Sequence, residues 1–471
     1  MMIYLLGRFS TAIISTITVY LTYWLGKFLF SKKVGYFASF IFSIMFLPLF
    51  LSHFITVDML ALLFLMLSLI FCFKIMLGGK LRNYLLAGLF SGLLIGTKFN
   101  TVVLVTLFLS YLFSNKRHEK HSFLYLVSAF LISGFSFLIS NPYFILSFQE
   151  YTKGLISQIL LLRGQEVISM SDQDGIPSWL WYFKYWVSSG VGLPISLSVV
   201  LGVLLSIFKK KAYNPKNLLL FISFPVLYSL IIFLSHHRAD RYSLPLMPFL
   251  AIFAGLFFAK SLDLLEKVVK FSRVRLILFA LFLFIFLMLP LYKVVTFNYL
   301  ISQKDTRLQA GEWLNEEYPK DQTVLAVGDT IHAGQYLQKK GFYNVVNLFP
   351  LETKDIFLYA DEILLVDSTN YRIADNYQNS ESYKNFWENS QLIRQKCELI
   401  KEFSQPLFKA EFFSPAFLEH SSTVNAYHNP TVEIYKVPQI DDLYKKKVSF
   451  EYLPGKMAND SNIQLVDKDG K

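Results

Sequence analysis

Six polar side chains stand at the ends of long apolar stretches, where an ionisable group is costly and marks a candidate functional site. They are Arg8, His53, Asp58, Lys98, Arg238 and Arg241. A guanidinium offers a planar fork of donors that matches phosphate oxygens, and an ammonium offers a compact charge. A lipid phosphate held at one membrane surface would account for all four basic residues together. Snorkelling of long side chains at helix ends would account for each one separately.

The segment 52–58 supplies an imidazole and a carboxylate. Asp58 is either a helix N-terminal residue stabilised by the helix dipole, with Thr56 as the N-cap, or a carboxylate in an outer cavity that binds an acceptor or a metal ion. His53 belongs either to the same cavity or to the solvated membrane interface. The residue types alone leave these interpretations open.

Apolar segments long enough to cross a membrane must position these residues. The chain has 471 residues, of which 54% are hydrophobic and 17% charged, whereas soluble domains carry about 25% charged residues. A crossing helix needs roughly 20 apolar residues. We predict ten spans, at about 9–30, 34–51, 57–77, 83–97, 101–114, 122–140, 188–207, 217–234, 242–260 and 274–296.

The fourth and fifth predicted spans are short. They form either a helical hairpin that turns at Lys98-Phe99-Asn100 or one long tilted helix. Arg82 precedes the pair and Lys116 follows it. Because basic residues favour the cytoplasmic side, both ends belong on one side, and the hairpin is the prediction.

The net charge of +11 comes largely from basic residues in the loops between the predicted spans. The loops at 31–33, 74–82, 115–121, 208–216 and 260–275 hold 17 Lys or Arg and three acidic residues, against seven basic residues in the alternate loops. The positive-inside rule therefore predicts a multi-pass protein of the cell membrane with residues 141–187 and 300–471 outside. Nucleic-acid binding would need a basic face on a soluble fold, so we expect no nucleic-acid partner.

The outer loop 141–187 carries two interfacial patterns. Residues 148–163 place apolar side chains at helical spacing, and residues 179–186 are rich in aromatic residues. Amphipathic helices and aromatic belts both lie at the membrane interface and contact membrane lipids. The loop either caps a cavity that opens sideways to lipid or simply anchors the protein.

The charge pattern changes at about residue 300. Residues 306–317 read as an amphipathic helix, 322–327 and 362–367 as buried strands, and 432–437 as a terminal strand. We predict a membrane domain at 1–298, a soluble α/β domain at 299–454 and a polar, disordered tail at 455–471.

Four stretches together resemble the polyprenyl-phosphate-sugar-dependent glycosyltransferases of the GT-C superfamily, above all bacterial members of glycosyltransferase family 39 and the aminoarabinose transferases. They are Gly7-Arg8 with the helix that follows, residues 52–58, residues 86–100 ending in Gly-Thr-Lys-Phe-Asn, and residues 241–249 with an Arg-Tyr-x-x-Pro-x-x-Pro pattern. Each motif is weak alone, and their order makes the set more specific.

The resemblance implies a GT-C-like helical membrane fold of about ten spans with a C-terminal soluble α/β domain. It also implies transfer of a monosaccharide from a polyprenyl phosphate carrier to a protein, lipid or glycan acceptor on the outer face. The expected substrate-binding residues are Arg8, His53, Lys98, Arg238, Arg241 and Tyr242, while Asp58 would orient the acceptor or a divalent metal ion.

The family's acidic catalytic base lies in a loop before its second helix, and this chain begins at what resembles that second helix. We therefore expect the helix and base to be absent from residues 1–471, and the chain as given to lack activity. Two alternatives stay open. One is a transporter or flippase of a lipid-linked saccharide, which should show repeats or broken helices with central charges. The other is an inactive relative that acts as a scaffold.

Overall fold

The computed structural model describes residues 2–115, 117–164, 176–208, 213–327, 331–342, 344–348, 361–367, 393–404 and 431–438. These residues form two compact units whose boundary falls between Thr296 and Phe297. The predicted tail at 455–471 lies outside the described residues.

The first unit is helical throughout, and each of the ten predicted apolar segments lies on one or more of its helices. The helices are α1 (Met2–Leu29), α2 (Lys32–Ile44), α3 (Phe46–Ser52), α4 (Asp58–Gly78), α5 (Leu81–Thr97), α6 (Val102–Leu112), α7 (Ser122–Ser140), α8 (Tyr143–Leu146), α9 (Phe148–Leu162), α10 (Ser178–Tyr185), α11 (Leu193–Phe208), α12 (Pro215–Leu234), α13 (Met247–Val268) and α14 (Ser272–Ser302). A π-helical turn follows α10 at Trp186–Gly190, and a 3₁₀ turn precedes α13 at Asp240–Leu246.

The count of spans is lower than the ten predicted. Six helices of the described residues are long and apolar enough to cross a membrane, and eight if each of two bent pairs counts as one span. The difference lies in the short segments: α5 has 17 residues and α6 has 11. Hydropathy along the chain finds such segments but does not show whether each one crosses alone.

The α5–α6 pair is the predicted hairpin, and the long tilted helix is wrong. The backbone N–H of Asn115, just after α6, donates to the carbonyl of Met76 near the end of α4. At the other end, the side chain of Lys98 after α5 reaches Asp58 at the start of α4. Both outer ends of the hairpin therefore return to the same end of α4.

The five basic loops gather at one end of the first unit. Lys33 forms ion pairs with Asp263 and Glu266, each at 2.9 Å. Ring contacts join Phe30 to Tyr213 and Phe28 to Phe73, and the hydrogen bond from Asn115 joins the loops at 74–82 and 115–121. This common end is what the positive-inside pattern requires, because loops of one side must share one face of the membrane.

Glycines allow α5 and α7 to pack with their backbones in close approach. A Cβ atom on Gly88 would lie 2.2 Å from the carbonyl oxygen of Ala129, and one on Gly92 would lie 2.1 Å from that of Ser133. Small residues at helix crossings are the usual means of tight packing between membrane helices. This contact fixes α5, which carries Lys98 at its end.

The second unit is a small α/β fold. The elements are α15 (Thr306–Glu317), β1 (Val324–Val327), α16 (Ile331–Lys339), β2 (Val345–Leu348), β3 (Ile363–Asp367), β4 (Glu398–Phe403) and β5 (Val432–Lys436). The sheet has the order β2-β1-β3-β5-β4, and β1 pairs in parallel with β2 and β3. The three strands expected from the sequence are β1, β3 and β5. Strands β3 and β5 pair in antiparallel, and their partners Leu365 and Ile434 both lie in the hydrophobic core of this unit.

Candidate functional site

Asp58 and Lys98 form an ion pair with a buried carboxylate at the end of the first unit opposite the basic loops. Asp58 is the first residue of α4 and is 4% exposed. The Nζ atom of Lys98 lies 2.6 Å from its Oδ1 atom. The turn between α4 and α5 at Gly79, with φ of 57°, brings α5 back beside α4, and α5 ends one residue before Lys98. The carboxylate therefore holds the lysine in place at a helix N-terminus, where negative charge is favoured.

Tyr242 completes this cluster from a third element. The Nζ atom of Lys98 lies 5.3 Å from the centre of the Tyr242 ring, within the range of a cation–π contact. The 3₁₀ turn that carries Tyr242 is fixed in turn by Tyr228 of α12, whose hydroxyl donates to the Tyr242 carbonyl at 2.9 Å. Asp58, Lys98 and Tyr242 are thus the three predicted site residues that the described contacts bring together.

Arg238 and Arg241 differ in their surroundings. Arg238 is 3% exposed, its Nη1 atom donates to the carbonyl of Ile176 at 2.8 Å, and its guanidinium lies 5.8 Å from the centre of the Trp181 ring. Arg241 is exposed, and its backbone N–H donates to Asp240 at 2.6 Å. Arg238 therefore fastens the segment before α10, while the Arg241 side chain remains accessible to a ligand.

Arg8 and His53 lie near the same end of the first unit. Arg8 is exposed on the first turns of α1, and its neighbour Gly7 packs against Ile55 of the loop that precedes α4. The Nδ1 atom of His53 lies 2.8 Å from the carbonyl of Leu49 in its own helix. That hydrogen bond fixes the imidazole ring against α3.

A small cleft of about 10 Å³, with room for about one water molecule, opens beside the ion pair. Its lining residues are Asp58, Ala61, Leu62, Leu65, Leu94, Lys98, Asn100, Leu244 and Pro245. Asn100 was missed as a site residue because it read only as part of the hairpin turn. It is 8% exposed, and its Oδ1 atom is buried without a hydrogen-bond partner among the described residues. A polar residue in a predicted turn between two spans was the available signal.

The predicted Thr56 cap is wrong. The N-cap of α4 is Val57, which makes no side-chain capping bond, and the Thr56 hydroxyl is buried without a partner among the described residues. Asp58 itself occupies the first helical position, where its charge meets the helix dipole directly.

The donor set at the cleft does not fit a resident metal ion. Asp58 is the single acidic residue in its lining, and its Oδ1 atom bonds Lys98. Among the described residues, no group of three or more His, Cys, Asp or Glu side chains comes together. A divalent ion stays a prediction, and no step below uses one.

The loop at 141–187, which is predicted to lie outside, contributes a helix and part of the core. The predicted amphipathic segment is α9, which exposes Ile156 and Ile159. Its C-terminal end is tied to the 235–241 segment, since the backbone N–H of His236 donates to the carbonyl of Leu162.

The aromatic residues at 179–186 lie partly in the core and not only at the surface. Trp181, Tyr182 and Tyr185 are buried, whereas Trp179 and Phe183 are exposed. The Tyr182 hydroxyl donates to the carbonyl of Ala239 at 3.3 Å. This stretch therefore packs beneath the segment that presents Arg241 and Tyr242.

Residues 5–140 match the family model of dolichyl-phosphate-mannose-protein mannosyltransferase. The matched residues include Arg8, His53, Asp58, Lys98 and Asn100. The match confirms the resemblance to the GT-C superfamily that the sequence motifs indicate. No curated protein sequence matches this chain.

Two solved structures are similar to this fold. One is the archaeal oligosaccharyltransferase AglB from Archaeoglobus fulgidus in complex with an inhibitory peptide and a dolichol-phosphate, with 12% identity, a TM-score of 0.45, and coverage of 80% of this chain and 60% of that one. The other is ArnT from Cupriavidus metallidurans bound to undecaprenyl phosphate, with 12% identity, a TM-score of 0.41, and coverage of 78% and 80%. This chain thus spans about 60% of the archaeal relative's length.

Proposed function

We propose that this multi-pass membrane protein, whose residues 5–140 match a family model of GT-C glycosyltransferases, transfers a monosaccharide from a polyprenyl phosphate carrier to an acceptor hydroxyl. The acceptor is a protein, lipid or glycan on the outer face of the cell membrane. The observation that carries the proposal is that the matched residues include both members of the Asp58–Lys98 pair.

In the proposed reaction, the acceptor oxygen forms a bond to the anomeric carbon of the sugar while the bond from that carbon to the phosphate oxygen breaks. The electron pair leaves with the polyprenyl phosphate, and the acceptor proton passes to a base. Negative charge therefore grows on the phosphate in the transition state. A cation fixed beside that phosphate lowers the barrier because it is already oriented before the charge develops.

Lys98 is the residue best placed to stabilise the leaving phosphate. One of its three ammonium donors bonds Asp58, and the ammonium also lies over the Tyr242 ring, so its position is set from two elements. The remaining donors can reach a phosphate at the cleft. The exposed guanidinium of Arg241 supplies a second, mobile cation on the rim.

Asp58 serves in this proposal as a positioning residue for Lys98. Its Oδ1 atom lies 2.6 Å from the Nζ atom of Lys98, and this contact fixes the ammonium beside the cleft. The role expected for Asp58 in orienting an acceptor stays a prediction. Arg8 and His53 remain predicted contacts of the substrate at the same end of the unit.

The test uses the protein with any N-terminal extension that its gene encodes upstream of Met1, because residues 1–471 alone are expected to be inactive. It is reconstituted in liposomes with radiolabelled undecaprenyl phosphate mannose and related sugar donors, and with membranes of the source cell as acceptor. We expect release of undecaprenyl phosphate and transfer of label, both reduced in Lys98→Met. Donors that stay intact with every sugar and acceptor fraction would contradict the proposal.

A transporter of lipid-linked saccharides is the second candidate, because two membrane-spanning helix pairs are broken. The α2–α3 pair bends by 61°, and the segments Ser178–Ser188 and Leu193–Phe208 meet at 113°. The ammonium of Lys293 donates to the carbonyl of Ser188 at the second break. Broken helices with a charge at the break are typical of transporters. The same liposomes separate the two functions, since a transporter moves the donor intact and a transferase consumes it.

A further inference from the structure

The connection between α13 and α14 carries a cluster of positive charge. Residues 267–275 contain Lys267, Lys270, Arg273 and Arg275 and no acidic residue. Lys267, Lys270 and Arg273 are exposed, and Arg275 is partly exposed. Among the described residues, none of these four side chains forms an ion pair with a carboxylate. The charge of this segment is therefore available to an anionic partner.

The acidic residues nearest to this segment in the chain are engaged elsewhere. Asp263 and Glu266, in the last turns of α13, each lie 2.9 Å from the ammonium of Lys33 on α2. Asp263 also lies 3.1 Å from the ammonium of Lys260. These ion pairs join α13 to α2 on one side of the helix, so the two carboxylates do not offset the cations that follow.

Exposed apolar side chains lie among the cations. Leu264 and Val268 on α13 and Val274 on α14 are exposed, and Phe271, in the turn between the two helices, is 77% exposed. Apolar and basic side chains mixed in this way are typical of segments that bind at the surface of an anionic membrane. A soluble polyanion would neutralise the charge but would leave the aromatic ring in water, so a lipid fits this surface better.

The membrane-spanning part of α14 begins directly after the last of these cations. Residues 276–291 contain no charged residue, and α14 is among the helices long and apolar enough to cross a membrane. Long basic side chains at a helix end extend to the lipid headgroups while their stems stay against apolar groups. The cations of residues 267–275 therefore lie at the depth of the headgroups, with Phe271 beside the start of the acyl chains.

We propose that residues 264–275, here called the α13–α14 corner, are a docking site for an anionic phospholipid of the leaflet that borders the basic loops. The charged headgroup contacts Lys267, Lys270 and Arg273, and an acyl chain covers Phe271. Each basic side chain near an anionic headgroup strengthens binding by about five-fold. This interaction goes beyond the proposed transfer reaction and does not depend on it.

The test measures lipid binding to the purified full chain in a neutral detergent by native mass spectrometry. The probes are phosphatidylglycerol and phosphatidylcholine with the same acyl chains, and glycerol 3-phosphate as a soluble phosphate. We expect phosphatidylglycerol to bind more tightly than either of the other probes. Its affinity should fall as the ammonium acetate concentration rises, because salt screens exposed charges.

Two pairs of substitutions show whether the charge of the α13–α14 corner is responsible. Lys270→Gln/Arg273→Gln should weaken the binding of phosphatidylglycerol by roughly 10- to 30-fold and leave that of phosphatidylcholine unchanged. Lys270→Arg/Arg273→Lys keeps both charges and should keep the affinity. All four replaced groups are exposed, so the unfolding temperature should stay the same in both variants.

A matched control removes two exposed cations from another loop at the same end of the unit. Lys80 and Arg82 lie at the start of α5 and are both exposed. Lys80→Gln/Arg82→Gln should change the affinity for phosphatidylglycerol by less than about two-fold, because the four cations of the α13–α14 corner remain. Phe271→Ser should weaken the binding, whereas Phe271→Leu keeps an apolar side chain and should retain most of it.

Several outcomes would overturn the site. Equal losses in the two glutamine double variants would show that the whole basic end attracts lipid and that the α13–α14 corner has no special role. Equal affinities of the wild type for phosphatidylglycerol and phosphatidylcholine would exclude recognition of the charge. Equal binding of glycerol 3-phosphate, or an unchanged affinity in Phe271→Ser, would exclude a lipid as the occupant.

Discussion

The ammonium of Lys98 and the carboxylate of Asp58, forty residues apart in the chain, meet at 2.6 Å inside the membrane unit. Asp58 is almost fully buried, and the Lys98 side chain is 26% exposed. Because the two side chains differ in burial, Asp58 can fix the position of Lys98, and the Lys98 ammonium can still contact a ligand. The carboxylate is therefore the anchor, and the ammonium is the group offered to a ligand.

Removing one partner of this pair should be worse for folding than removing both. Asp58→Asn leaves the ammonium without its counterion, and Lys98→Met leaves a buried carboxylate alone, which should cost about 3 kcal/mol in stability. The double variant Asp58→Asn/Lys98→Met should recover most of that loss because no uncompensated charge remains. Thermal unfolding in detergent measures the difference.

Binding of undecaprenyl phosphate is the second readout for the same three proteins. It should stay low in both variants that lack Lys98, the folded double variant included. A double variant that is no more stable than the single variants would show that an unpaired charge at Asp58 or Lys98 does not cost the expected stability.

Tyr242 should act on Lys98 through its ring and not through its hydroxyl. Tyr242→Phe keeps the cation–π contact, whereas Tyr242→Leu removes about 0.5–2 kcal/mol of it and frees the ammonium from one of its two supports. Affinity for undecaprenyl phosphate should fall several-fold in the leucine variant and little in the phenylalanine variant. Equal losses in the two variants would point to the hydroxyl.

Arg241 and Arg238 should separate binding from stability. Arg241 is exposed, so Arg241→Ala should weaken binding of the lipid phosphate without changing the unfolding temperature. Arg238 is buried and bonds the carbonyl of Ile176, so Arg238→Ala should destabilise the protein by about 2–3 kcal/mol. Arg238→Lys keeps the charge but loses the planar set of donors, and its stability should lie between those of Arg238→Ala and the wild type.

In a transfer assay, Arg241→Ala should also lose more activity than Arg238→Lys. The reverse pattern would assign the phosphate to Arg238.

The α5–α7 contact should not tolerate a single methyl group at its closest point. Gly88→Ala places a Cβ atom 2.2 Å from a backbone oxygen of α7, and overpacking of this kind costs about 1–3 kcal/mol. Gly134, which lies within α7, has open space around its would-be Cβ atom. Gly134→Ala should therefore be neutral or slightly stabilising. Unfolding temperatures of the purified variants compare the two, and equal effects would contradict the close approach.

The orientation of the chain should be visible by thiol labelling. Lys320 lies in the second unit and Lys267 near one of the basic loops, and both are exposed. Lys320→Cys should react with a membrane-impermeant maleimide in intact cells, and Lys267→Cys only after permeabilisation. Labelling in the opposite order would invert the predicted topology.

The two native cysteines should give little background in that experiment. Cys72 and Cys397 are both buried. Burial raises the pKa of Cys397 to about 11, so its thiol is protonated at neutral pH and reacts slowly.

The sequence by itself determined which segments are helical and which loops share a side. Both properties depend on residues that are close together in the chain. A span is recognised by about 20 consecutive apolar residues, and a cytoplasmic loop is recognised by its excess of Lys and Arg. The buried strands β1 and β3 and the terminal strand β5 were equally readable, because each carries its burial pattern locally. Both edge strands, β2 and β4, were missed. Strand β2 has only four residues, and the solvated sequence Glu-Leu-Ile-Lys-Glu-Phe of β4 has no long apolar run.

Only the tertiary structure decided which polar residues act together. The hairpin register places Lys98 against Asp58, whereas Arg238 turns inward to Trp181 although its neighbour Arg241 stays exposed. The orphaned amide of Asn100 likewise depends on what the packing of α4 against α5 leaves beside it. Pairings of this kind are fixed by distances between residues far apart in the chain. A pattern of residue types names the candidates, and the three-dimensional packing selects among them because hydrogen bonds and ion pairs act over only about 3–4 Å.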